Sequence, residues 1–126
     1  MYEDIEPKTI LLVDDDRQVL IFIAEVLRSA GHAVIQATSG EEALHLFNAS
    51  AEEIDLVFSD IVMPGMSGDQ LIALLLKERP GLNYVLMSGN PVASLKPAVP
   101  LKEGENFLSK PFPMQAITDA VERLCG

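Results

Sequence analysis

Residues Ile10–Leu20 read ILLVDDDRQVL: four apolar residues, three consecutive aspartates, and the opening of a different pattern. Ile10–Val13 is too short for a helix and has no polar face, as a strand buried on both sides would. Beyond the aspartates, Val19, Leu20, Ile23, Val26, Leu27 and Ala30 return at the 3.6-residue period of an amphipathic helix. Asp16 stands where an N-cap belongs and Gly31 where a C-terminal cap belongs. A buried strand, an acidic turn and a helix make one βα unit, and the rest of the chain continues to alternate strands with helices.

Working outward, Ala33–Ile35, Ile54–Phe58 (broken by Asp55), Tyr84–Met87 and Phe107–Leu108 are further short apolar runs rich in β-branched or aromatic residues. Helical patterns separate them. Ser39 with Glu42 predicts a capping box opening a second helix to about Ser50. A third starts near Ser67 or Gly68 and ends at Arg79, ahead of Pro80. A last one has Pro113 in its first turn and is predicted to bury Met114, Ile117, Val121 and Leu124. Pro91, Pro97 and Pro100 interrupt the stretch between the fourth and fifth strands, where a fourth helix can only be short or distorted. The expected fold is α/β: a doubly wound, five-stranded parallel sheet in the flavodoxin-like order 2-1-3-4-5, flanked by about five helices.

With 126 residues, 48% of them apolar and no linker, repeat or low-complexity tract, residues 1–126 are expected to form one domain with its core at about 8–124. The net charge of -10 opposes binding to nucleic acid or to an anionic membrane. Split at Met63, the first half carries 3 basic and 13 acidic residues and the second half 6 of each, so all of the excess negative charge lies in the first half. The longest apolar runs, Val19–Ala24 and Leu71–Leu76, are far short of a membrane span of roughly 20 residues. Met1–Lys8 has no basic segment followed by an apolar one, as a secretion signal would. The single cysteine, Cys125, suits a reducing compartment, and a cytoplasmic location is the expectation.

In open sheets of this kind ligands bind at the carboxyl ends of the strands. Strand one runs into Asp14, Asp15 and Asp16, strand three into Asp60, strand four into Ser88 and strand five into Lys110. Converging carboxylates raise one another's pKa unless a cation joins them, and oxygen-rich, thiol-free surroundings suit Mg²⁺. Asp60 can act as a nucleophile that forms an aspartyl phosphate, Lys110 supplies a fixed cation, and Ser88 can donate to a phosphoryl oxygen. No histidine is required; His32, His45 and Cys125 are expected to be structural.

The segments ILLVDDDRQVL (Ile10–Leu20), DLVFSDIVMPGMSG (Asp55–Gly68), VLMSGN (Val85–Asn90) and FLSKPF (Phe107–Phe112), in this order and spacing, resemble the receiver domain of bacterial two-component response regulators from about Lys8 to Leu124. The resemblance implies that Asp14 and Asp15 hold Mg²⁺ together with Asp60 and the backbone carbonyl of Val62, and that Asp60 is the phosphoacceptor. It makes Ser88 the switch hydroxyl, Phe107 the aromatic switch position coupled to it, and Lys110 the conserved-type lysine, joined to Pro111 by a cis peptide. It implies a phosphoryl group delivered by a histidine kinase or a histidine phosphotransfer protein, with Gln18 and Phe22 on the first helix as partner contacts. The domain is then not an enzyme in its own right, although it assists its own phosphorylation and dephosphorylation. A phosphorylation-dependent homodimer is a further implication, and the proline-rich departure at 91–100 bears on any dimer built on the fourth helix. The VLMSGNP and FLSKPF wording leans toward receivers attached to sensor kinases; stand-alone, hybrid-kinase and truncated-regulator contexts all remain open.

Plainer roles compete at several positions. Asp16 is better placed as a helix cap than as a metal ligand. Ser88 could cap a turn, Phe107 could simply pack in the core, and Ile21 and Phe22 could widen a buried helix face. Two other functions fit parts of the pattern: a receiver-like binding module that is not phosphorylated, and an aspartate-nucleophile phosphohydrolase using Asp14 and Asp16 as a DxD pair. Gln18 departs from the phosphohydrolase motif, and the complete set of Asp14, Asp15, Asp60, Ser88 and Lys110 argues against the inert module.

Overall fold

The computed structural model describes residues 6–91 and 95–125. Its elements are β1 (Thr9–Val13), α1 (Arg17–Ser29), β2 (Ala33–Ala37), α2 (Gly40–Ser50), β3 (Leu56–Asp60), α3 (Gly68–Glu78), β4 (Asn83–Ser88), β5 (Phe107–Ser109) and α4 (Met114–Cys125). All strand pairs are parallel and the sheet order is β2-β1-β3-β4-β5. The predicted N-terminal character of 1–5 lies outside the described residues, and so does part of the expected fourth helix, at 92–94.

Alternation along β1 shows why the sheet is covered twice. Leu11 and Val13 join Phe47, Leu71, Leu75 and Phe107 in the core beneath α2 and α3. Ile10 and Leu12 join Ile23, Leu27, Ile117 and Val121 beneath α1 and α4. Successive side chains of a strand point to opposite faces, so an uninterrupted apolar run demands a helical layer on each.

The caps explain most boundaries. Asp16 Oδ1 accepts the N–H groups of Gln18 (3.0 Å) and Val19 (3.4 Å), as its sequence position predicts. Gly31, at φ +97°, ends α1 in a left-handed conformation that a side chain would resist. At α2 the predicted box is half formed: Ser39 Oγ accepts the Glu42 N–H at 3.0 Å, but Glu42 reaches past Ser39 to the N–H of Thr38 at 2.6 Å. The reciprocal box is instead at Ser67 and Gln70, opening α3.

Two expectations need correction. The third strand starts at Leu56 rather than Ile54; just ahead of it Asp55 clasps the first residue of β1, its N–H donating to Thr9 O (2.8 Å) and its side chain, in place of a backbone carbonyl, accepting the Thr9 N–H (2.8 Å). Met114, predicted to be buried, is 57% exposed, whereas Ile117 and Val121 are fully buried; at the first residue of α4 it precedes the turn that meets the sheet. In the proline-rich stretch, Lys96 has φ +45° and residues 96–100 are irregular, so no regular helix continues there.

Candidate functional site

The sheet brings four strand ends to one edge. Asp14 follows β1, Asp60 closes β3, Ser88 closes β4 and Lys110 follows β5. Lys110 is held there by its own backbone, whose N–H donates to Ser88 O at 2.8 Å, and its peptide bond to Pro111 is cis. Its ammonium lies 2.9 Å from Asp60 Oδ1 and 3.8 Å from Asp14 Oδ2.

Asp14, Asp15 and Asp60 each offer a carboxylate oxygen, and these oxygens lie within 4.8 Å of one another. Asp14 is 1% exposed and Asp60 7%, while Asp15 faces solvent. Burial pushes the Asp14 carboxyl up to about 6, helped by the charges of Asp60 and Asp15 and opposed by the Asp16 N–H on Oδ1 (2.9 Å) and by Lys110. Burial also raises Asp60, and the Lys110 hydrogen bond works against it. Burial alone would lower Lys110, but the hydrogen bond and charge of Asp60, with the charges of Asp14 and Asp16, leave it raised.

Asp14 Oδ2 is fully buried and accepts no hydrogen bond. An orphaned buried carboxylate oxygen is costly, and one lysine 3.8 Å away that is already engaged by Asp60 does not satisfy it. An all-oxygen donor set with an unsatisfied oxygen fits a hard divalent cation such as Mg²⁺. Val62, two residues past Asp60, is 59% exposed, and because its side chain is a hydrocarbon any contribution it makes must come from its backbone. Asp16 is committed to capping α1, which removes the second aspartate of the DxD pair.

Ser88 is 2% exposed and its Oγ accepts the Asn90 N–H at 3.0 Å, leaving its own proton free to donate. It follows Met87, the register partner of Asp60. Phe107 is fully buried opposite Leu86, and the two-residue alternation puts it on the same face of the sheet as Ser88. Gln18 and Phe22 are exposed on α1, Phe22 at 49%. Phe22 lines a groove between α1 and α4 with Val26, Ala30 and the unexpectedly exposed Met114. His32 lies at the opposite end of the sheet, its Nδ1 accepting the Lys8 N–H at 3.0 Å.

Sequence reasoning missed the supports of the loop after Asp60. A Cβ at Gly68 would lie 2.0 Å from Asp60 O, so only glycine lets α3 start this close to the strand end. The Gly68 N–H bonds to Ile61 O (2.9 Å), Ser59 Oγ donates to Asp60 O (2.8 Å), and Glu41 Oε2 accepts the Met66 N–H (3.3 Å). The SG pair at Ser67–Gly68 was the available signal, but as a helix start it gave no hint of a backbone contact.

The profile of the family described as "Response regulator receiver domain" matches residues 10–122. The sensor kinase CckA of Brucella abortus is 34% identical over 116 residues, which are 92% of this chain and 12% of CckA. The response regulator receiver protein CpdR of the same organism is 29% identical over 117 residues, 93% of this chain and 96% of CpdR. Among other relatives are longer regulators of which the chain spans 24 to 27%. The response regulator TrrA of Thermotoga maritima, solved in complex with Mg²⁺–BeF, superposes with a TM-score of 0.79 at 27% identity over 93% of this chain and 98% of TrrA.

Proposed function

The chain belongs to the response regulator receiver family, phosphoacceptor signalling domains of two-component systems, and on that premise we propose that Asp60 is the residue that takes the phosphoryl group. The observation that carries this is the Lys110–Asp60 contact at 2.9 Å beside a buried, unsatisfied Asp14 oxygen: a carboxylate fixed by one cation next to a site short of another. Asp14, Asp15, Asp60 and the Val62 carbonyl would hold Mg²⁺, which supplies positive charge for the phosphoryl oxygens when bound. Mg²⁺–BeF, a phosphoryl mimic with its metal, is bound by the related TrrA and supports the same assignment here.

The remaining chemistry falls to the chain's own residues. An Asp60 oxygen forms the new P–O bond as the P–N bond of the donor phosphohistidine breaks, and the imidazole leaves with the electron pair. Lys110 works against the burial that raises the Asp60 carboxyl and stays as a counter-charge to the phosphoryl oxygens. Ser88 Oγ can turn its proton toward one of those oxygens, and Phe107, on the same face, fills or vacates the space behind it. The domain thus assists its own phosphorylation and hydrolysis while acting as a switch.

The donor is a histidine kinase or histidine phosphotransfer protein that docks on α1 at Gln18 and Phe22, where the groove to Met114 offers an apolar seat. A phosphorylation-dependent homodimer is one output of the switch. No helix of the described residues is long and apolar enough to cross a membrane. The test is incubation with acetyl phosphate and Mg²⁺: the intact mass rises by one phosphoryl group, the adduct is labile to hydroxylamine, and Asp60→Asn takes up none. An adduct that persists in Asp60→Asn contradicts the assignment.

A further inference from the structure

The connection from Ser88 to Phe107 carries Pro91, Pro97 and Pro100, and past Leu95 no regular helix holds residues 96–100. Contacts from outside do. Pro100 O accepts from Tyr84 Oη (2.7 Å) and Asn106 Nδ2 (3.1 Å), and Val99, 6% exposed, is packed into the core with Phe107 and Leu86. One residue earlier, the Ala98 N–H donates to Asp69 Oδ2 at 2.8 Å, from a separation of 29 residues. Lys96 nearby holds φ +45°, a conformation that a non-glycine residue keeps only when its surroundings impose it.

Asp69 is itself tied to the candidate phosphorylation site. Its other oxygen, Oδ1, accepts from Ser67 Oγ (2.7 Å), the N-cap of α3. The preceding residue is Gly68, whose backbone sits against Asp60 O and bonds to Ile61 O. The first turn of α3 therefore cannot stay still if the Asp60 backbone or its loop is displaced, and Asp69 carries that displacement to Ala98. A carboxylate accepting a backbone N–H is among the stronger hydrogen bonds available for such a link.

We propose that Asp69 is a positioning residue that couples the state of Asp60 to segment 95–100 through the Ala98 N–H. This rests on the reading of Asp60 as the phosphoacceptor and extends it, because it gives the β4–β5 connection an input that does not pass through Ser88 or Phe107.

The test follows amide hydrogen exchange at 95–100 in the full chain, with and without acetyl phosphate and Mg²⁺, reading Asp60 occupancy from intact mass in the same samples. In the wild type, phosphorylation changes exchange at Ala98 severalfold. Asp69→Ala exchanges at Ala98 about tenfold faster before any phosphodonor is added, as loss of a hydrogen bond to a charged acceptor predicts. It reaches the same phosphoryl occupancy, yet shows no further change at 95–100. Asp69→Asn, which keeps one acceptor oxygen for the Ala98 N–H but loses the charge, falls between wild type and Asp69→Ala. Unchanged Ala98 exchange in unphosphorylated Asp69→Ala overturns the anchor, and a phosphorylation response that survives in Asp69→Ala overturns the coupling. A wild-type chain that never takes up phosphoryl overturns the phosphoacceptor reading and the coupling together, and the phosphate-free comparison still decides the anchor by itself.

Discussion

Replacing Asp14 by Asn should make the metal-free protein more stable, although it removes a charged residue beside a lysine. In the folded chain the Asp14 carboxyl is raised from 3.8 to about 6, mainly by burial. At about 1.36 kcal/mol per pKa unit, ionised Asp14 at pH 7.5 costs the fold roughly 3 kcal/mol. Asn keeps an oxygen for the Asp16 N–H and removes the charge; desolvating its amide returns about 1 kcal/mol or more, so a net gain of up to about 2 kcal/mol is expected. For a domain of this size that is a Tm rise of up to about 7 °C. The sign fixes the pH window: a carboxyl raised in the folded state favours folding below pH 3.8, and the advantage is lost as pH rises through about 6. The gap between variant and wild type is therefore widest above pH 6 and closes toward pH 4. Urea denaturation in EDTA across this range measures it. Adding Mg²⁺ at about 100 times its Kd should restore roughly 2.7 kcal/mol to the wild type and far less to the variant. A variant no more stable than wild type at pH 7.5 in EDTA, or one that gains as much from Mg²⁺, refutes the reasoning.

Lys110→Met should slow phosphorylation by acetyl phosphate about 10²–10³-fold, the usual effect of removing one preorganised charge from a transition state; initial rates by mass spectrometry check it. Gly68→Ala forces a Cβ to within 2.0 Å of Asp60 O and should cost about 1–3 kcal/mol of stability by overpacking, with slower phosphorylation as the loop shifts. Phe22→Ala should slow transfer from a phosphorylated histidine kinase roughly tenfold, as loss of an apolar interface anchor does, while leaving the acetyl phosphate rate unchanged. Equal slowing with both donors would sink the docking role.

The strand-turn-helix at Ile10–Leu20 was legible because burial on both faces leaves no polar residue in a short strand, and because Asp16 caps the helix by a local hydrogen bond. The strand ends followed from topology, since a parallel sheet aligns its carboxyl edges. What the sequence hid was long-range. Asp55 bonds Thr9, 46 residues away, with both its N–H and its side chain, and no local pattern records that. Met114 fits the helical period but lies a turn outside the covered part of the helix. The unsatisfied Asp14 oxygen, the Gly68 contact and the Asp69–Ala98 bond depend on distances between elements, which composition and period do not encode. The asymmetry of charge is partly a site: Asp14, Asp15 and Asp60 come from the acidic first half, and Lys110 comes from the neutral second half to meet them.

Reductive trapping tests the central assignment most directly. Borohydride converts an aspartyl phosphate, and not a free carboxylate, to homoserine. After incubation with acetyl phosphate and Mg²⁺, borohydride treatment and proteolysis, peptide sequencing by mass spectrometry should find homoserine at position 60, in amounts that follow the phosphoryl adduct. Homoserine at Asp14 or Asp15 instead, or a phosphorylated chain with unmodified Asp60, would contradict the account.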